Sequence, residues 1–122
     1  MKIMIVDDNS KIRRLVRSIM EMHCIGSVEI VFCANGYETF EKYQSEPTEW
    51  IIMDIQMPVM NGLEAAKKIL AHNKKEMIIL ITNHKDPNFK ERANKIGVKH
   101  FVQKENLTTI PKIINQIKIN KN

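Results

Sequence analysis

The chain has 122 residues, of which 43% are hydrophobic and 27% charged, a composition that fits one globular domain with a buried core. It contains no apolar run near the roughly 20 residues of a membrane helix, and the apolar start, ended by acids at Asp7-Asp8, is too short to read as a signal peptide, so a cytoplasmic protein is expected. Net charge is +5 but uneven: residues 1–60 hold 6 Lys/Arg against 9 Asp/Glu, residues 61–122 hold 13 against 5.

Residues 2–6 form a short apolar strand ending at Asp7-Asp8. Asn9 or Ser10 can cap the helix that follows, in which Ile12, Leu15, Val16, Ile19 and Met20 make one apolar stripe. That helix stops near Gly26. Residues 28–33 are the second strand, broken by Asn35-Gly36. Tyr37, Phe40 and Tyr43 or Gln44 suggest a second helix, closed by Pro47. Residues 49–53 are the third strand. The third helix runs from about Leu63, with Leu63, Ala66, Ile69 and Leu70 facing inward. Residues 76–82 are the most apolar strand and suit a central position covered on both faces. Asp86-Pro87 reads as a cap followed by proline in the first turn, and Gly97 ends that helix behind Phe89, Ala93 and Ile96. Residues 98–102 are the fifth strand. The last helix carries Ile110, Ile113, Ile114 and Ile117, with Pro111 in its first turn.

Five repeats of strand then helix imply an α/β fold with a parallel sheet and helices on both faces. No linker or low-complexity segment interrupts residues 1–122, so a single domain is expected. Cys24 and Cys33 lack metal-ligand spacing and are expected to be reduced and buried. The basic second half has no recognition helix, zinc finger or aromatic RNA-binding signature, so direct nucleic-acid binding is not expected.

In a parallel sheet the carboxyl ends of the strands share one rim, where ligands bind. The first strand delivers Asp7 and Asp8 there, the third Asp54, the fourth Thr82, and Lys104 follows the fifth. Three crowded carboxylates repel one another, and a hard divalent cation such as Mg2+ relieves that repulsion while keeping sites for water or substrate oxygens. A lysine and a hydroxyl beside them suit an incoming phosphoryl group. Carboxylates can accept such groups covalently.

The combination of Val6-Asp7-Asp8, the stretch from Met53 through Asp54 and Pro58 to Gly62, Thr82 after an apolar strand, and Phe101 with Lys104 resembles the response regulator receiver domains of two-component signalling, over residues 2–119. The resemblance implies a flavodoxin-like, doubly wound five-stranded sheet of order 2-1-3-4-5 with five helices. It implies that Asp54 is the phosphoacceptor. Asp7, Asp8, Asp54 and the backbone carbonyl of Gln56 would be the Mg2+ ligands. Thr82 would be the switch hydroxyl, Lys104 the phosphate-contacting lysine and Phe101 the aromatic switch residue. Phe101 has no hydroxyl to hydrogen-bond when it turns inward. Gln56 and His84 lie two residues beyond Asp54 and Thr82, positions that border the path of the attacking water in this family. Asn83 stands where a small residue is usual, and Glu105 where a proline often follows the lysine.

The implied partners are a histidine kinase or histidine phosphotransfer protein upstream and a protein target or effector domain downstream. Arg13, Arg14 and Arg17 on the first helix resemble the donor-docking region. Lys85, Lys90, Arg92, Lys95, Lys99 and Lys112 fall near the face of helix four, strand five and helix five, which suits an acidic partner surface. Enzyme classes fit less well. A haloacid-dehalogenase-like hydrolase would want a second aspartate as general acid two residues after the nucleophile, where Gln56 stands. A flavodoxin would want a phosphate-binding loop after the first strand, where Asp7 and Asp8 would repel phosphate.

Overall fold

The structure is a computed structural model that describes every residue except His84, Asp86, Lys121 and Asn122. The cap expected at Asp86 and the role expected of His84 therefore lie outside the described residues. Five strands, β1 (Lys2–Val6), β2 (Glu29–Cys33), β3 (Trp50–Asp54), β4 (Met77–Thr82) and β5 (His100–Gln103), alternate with five helices, α1 (Ser10–His23), α2 (Gly36–Ser45), α3 (Gly62–His72), α4 (Pro87–Lys95) and α5 (Thr109–Asn120). All neighbouring strands pair in parallel, in the order β2-β1-β3-β4-β5. Order and element count agree with the expectation from sequence. Among the described residues no helix is long and apolar enough to cross a membrane.

Alternation along the strands sends their side chains into two cores. Met4, Val6, Ile51, Met53 and Leu80 pack under α2, α3 and α4. Ile3, Ile5, Ile52, Ile79 and Ile81 pack under α1 and α5. Because β1, β3 and β4 are covered on both faces, they are nearly all apolar, and each fully buried Ile contributes about 1.5–3 kcal/mol. The two cysteines are unpaired; Cys33 is buried, whereas Cys24 is only half-buried.

The structure departs from the sequence expectation at element edges. β3 begins at Trp50 and includes Asp54 itself. Asn35 and Gly36 do not merely break a strand: Asn35 caps α2 by accepting the Glu38 N–H at 2.8 Å, and Gly36 is its first residue. β5 begins at His100 rather than Val98. Val98 belongs to the end of α4, where its N–H bonds to the Ala93 carbonyl at 2.9 Å and the Gly97 N–H to that of Asn94 at 3.1 Å. With Gly97 at φ +100°, this is a Schellman closure. A 3-10 turn at Lys104–Asn106, not expected from sequence, leads into α5. In α1, Val16 and Met20 are buried while Leu15 is 48% exposed, because the helix is centred on the Val16–Met20 line and Leu15 lies at the margin of that stripe.

Candidate functional site

Strand pairing sets the site. Val6 is in register with Met53, so Asp7, just past β1, stands beside Asp54, the last residue of β3. Both are buried, Asp7 at 0% and Asp54 at 2% exposure, while Asp8 is exposed. One carboxylate oxygen from each of Asp7, Asp8 and Asp54 lies within 4.8 Å of the other two. The Asp7 backbone is clamped: its N–H donates to the Cys33 carbonyl at 3.1 Å, and its carbonyl accepts from the Arg13 guanidinium. Arg13 also sits over the Phe32 ring, 5.7 Å from its centroid. The Asp7 side chain accepts the Asn9 N–H at 2.8 Å, and Asn9 caps α1 by accepting the Lys11 N–H at 2.9 Å.

The loop after Asp54 is equally constrained. The Ile55 N–H donates to the Ile81 carbonyl at 3.0 Å, and the Gly62 N–H to that of Ile55 at 2.7 Å. A Cβ at Gly62 would fall 2.2 Å from the Asp54 carbonyl oxygen, and one at Gly36 would fall 2.3 Å from that of Met60. Both positions therefore require a residue without a side chain. Val59 has φ +71°, and the Met60 N–H donates to the Pro58 carbonyl across it at 2.8 Å. That is the strained form of the γ-turn, at a β-branched residue. Asn61 then caps α3 through the Glu64 N–H at 2.9 Å.

Lys104, the first residue after β5, closes the site. Its Nζ is 3.2 Å from Asp54 Oδ2, a hydrogen bond, and 3.2 Å from Asp7 Oδ2, an ion pair. Burial pushes the Asp54 carboxyl above its ordinary range, and the Asp7 charge adds to this; Lys104 and the Gln56 N–H, 3.2 Å from Asp54 Oδ1, oppose it without cancelling it. Burial alone would pull the Lys104 ammonium down, but the Asp54 and Asp7 charges outweigh it and hold Lys104 above its usual value. Asp7 Oδ2 is buried and has no hydrogen bond; its contact with Lys104 is electrostatic. An all-oxygen donor set of three carboxylates within 4.8 Å of one another fits a hard cation such as Mg2+.

Asp7, Asp8, Asp54 and Lys104 thus come together at one rim. Thr82 is fully buried at the last position of β4, beside Gln103 in the strand register. Gln56 is exposed in the loop after Asp54. Phe101 is set further back: it is half-buried in β5, opposite Leu80, and packs on the core under α2, α3 and α4. Sequence reading did not find the clamp at Arg13, the close approaches at Gly36 and Gly62, or the strained Val59. The recurring Asn-Gly pairs at 35–36 and 61–62 were the available signal for the glycines.

A family model described as response regulator receiver domain matches residues 3–117. The chemotaxis protein CheY1 of Helicobacter pylori is 35% identical over 107 residues, covering 85% of each chain. YesN of Bacillus subtilis, named as an uncharacterized transcriptional regulatory protein, is 30% identical over 122 residues; the match covers 96% of this chain and 33% of YesN, so the chain spans about a third of that relative. Among solved structures, the chemotaxis response regulator CheY4 of Vibrio cholerae superposes with a TM-score of 0.82 at 28% identity, covering 95% of this chain and 97% of that one. The chain belongs to the response regulator receiver domain family, the signalling domain of two-component systems.

Proposed function

We propose that this receiver domain is a phosphorylation switch in which Asp54 accepts a phosphoryl group from a phosphohistidine donor. The observation that carries the reading is the position of Asp54: a buried carboxylate 3.2 Å from Lys104 Nζ and within 4.8 Å of two further carboxylates. An Asp54 carboxylate oxygen attacks phosphorus, the P–N bond to the donor imidazole breaks, and an acyl phosphate forms. Bound Mg2+, held by Asp7, Asp8, Asp54 and the Gln56 carbonyl, would supply charge neutralisation for the phosphoryl oxygens. Lys104 and the Thr82 hydroxyl bind two of those oxygens. The aspartyl phosphate draws Lys104 from its carboxylate pair and Thr82 toward the rim. Phe101 then repacks inward, and the face of α4, β5 and α5 changes shape for its partner. That is a local charge event biasing a two-state element.

Upstream, the partner is a histidine kinase or a phosphotransfer protein. Downstream, it is a protein target or an effector domain, in keeping with relatives named as chemotaxis and transcriptional regulatory proteins. The domain acts as a signalling module that promotes its own phosphorylation and dephosphorylation, and works in the cytoplasm. The test is intact-mass measurement after incubation with Mg2+ and a small phosphodonor. The expected result is a gain of one phosphoryl group, abolished in Asp54→Ala and by chelation. An adduct that persists in Asp54→Ala, or none with the cognate kinase, would refute the reading.

A further inference from the structure

Between α3 and α4 the surface opens into a groove that the phosphoacceptor chemistry does not use. α3 lies closely against α2 but has no comparable contact with α4. A hollow of about 310 Å³ lies between Leu63 and Lys67 on α3 and Arg92, Lys95 and Ile96 beside it. It shares Lys67, Lys95 and Ile96 with a second hollow of about 470 Å³ that continues over Leu70 and Ala71 to Gly97. Half-buried Ile96 and exposed Ala71 supply the apolar floor, with the small edges of Leu63 and Leu70, which are 5% and 7% exposed. Its rim is basic: Lys67, Lys74, Arg92 and Lys95 stand against Glu64. Lys95 is 3.8 Å from Glu91 in an exposed pair, whereas Lys67, Lys74 and Arg92 make no ion pair among the described residues. Lys68 is turned to the other side of α3, over the Phe40 ring.

We propose that this groove docks a short acidic amphipathic helix of a partner protein. Leu63 and Leu70 are two helical turns apart, about 10 Å, a length that takes apolar anchors at i, i+3 and i+7 of an incoming helix. The cations on both walls then meet acids flanking those anchors. Charge complementarity selects this occupant. A second copy presenting the same groove would bring basic rim against basic rim, which costs affinity. A nucleic acid backbone would satisfy the cations but leave the apolar floor uncovered. None of Asp7, Asp8, Asp54, Thr82 or Lys104 lines the groove, so the inference does not rest on the phosphoacceptor reading.

The experiment uses the 15N-labelled full chain, without Mg2+ or phosphodonor. It is titrated with a synthetic helix of about 15 residues, long enough to hold helicity, with Leu at i, i+3, i+4 and i+7 and Glu on the flanks. A matched helix with Lys for Glu, and a DNA duplex, are titrated in parallel. The expected result is saturable binding of the acidic helix, with amide shifts centred on Leu63, Lys67, Leu70 and Ile96. Combined Lys67→Glu and Arg92→Glu, both at exposed positions, should weaken it about tenfold as two attractive charge pairs become repulsive. Weak or absent binding of the basic helix supports the proposal. Equal binding of the basic helix, no shifts in the groove, stronger shifts there from duplex, or groove shifts that grow with protein concentration alone would each overturn it. Retention of the dispersed spectrum in the double variant separates lost binding from lost fold.

Discussion

At the scale of single residues, the site works by forcing unlike requirements into contact. Asp54 is buried, yet burial beside Asp7 disfavours its charge, and Lys104 at 3.2 Å offsets only part of that cost. The backbone under it has no slack, and Gly62 is where this can be tested. Its missing Cβ leaves room for the Asp54 carbonyl oxygen, which a methyl group would approach to 2.2 Å. Backbone, unlike a flexible side chain, cannot swing away. Gly62→Ala should therefore lower the urea midpoint by the equivalent of about 1–3 kcal/mol and slow phosphorylation by a small donor, because relief requires Asp54 to move. Unchanged stability and unchanged phosphorylation together would mean that the close approach constrains nothing. Asp7, Asp54, Thr82 and Lys104 were legible in the sequence because a polar residue at the end of an apolar strand stands out one-dimensionally. Arg13, Gly62 and Val59 were not, because their roles depend on which backbone segment lies nearby, and only tertiary folding determines that.

At the scale of elements, interiors were readable and edges were not. Periodicity identifies the middle of a helix, but its ends are set by which backbone groups find partners. Val98 looks like a strand residue by its apolar character, yet its N–H is consumed by the Ala93 carbonyl, so β5 starts later. Leu15 matches the helical stripe by spacing, yet lies at its margin and stays exposed. Asn35 looks like a breaker because Asn-Gly favours turns, whereas its Oδ1 accepts the Glu38 N–H and holds α2 in place. α2 also depends on the Thr39 hydroxyl, which donates to the Asn35 carbonyl at 2.7 Å. Removing the cap acceptor in Asn35→Ala should cost about 1 kcal/mol, read as a lower urea midpoint at unchanged slope. Because Asn35 is not among the residues that surround Asp54, phosphorylation should persist. A stability change near zero would show that water accepts the Glu38 N–H as well as the Asn35 side chain does.

At the scale of the whole molecule, one sheet separates two cores, and the charged rim sits where both end. Alternating strands and helices made this architecture visible before any contact was known, since a parallel sheet covered on both faces is what such alternation folds into. The opposite end of the sheet was not legible, and it holds a further acid that is half-buried. Glu76, just before β4, accepts the Tyr43 O–H at 3.0 Å, and Tyr43 in turn accepts from the Asn73 side chain at 3.3 Å. This links α2, the end of α3 and the start of β4. The other Glu76 oxygen is buried without a partner. Burial raises the Glu76 carboxyl above its ordinary value of 4.5, and the Tyr43 and Met77 hydrogen bonds only partly oppose this. The folded state therefore favours the neutral acid. The stability gained from that preference is fully present below the unfolded value and is lost as pH rises through the raised folded value. Glu76→Gln keeps an oxygen for Tyr43 and removes the charge. Its melting temperature relative to the parent chain should rise at pH 7 and fall back toward zero difference as pH drops well below 4.5, where Glu76 too becomes neutral in both states. Thermal melts across that range check it; a difference independent of pH would mean that packing at residue 76, rather than its charge, sets the effect.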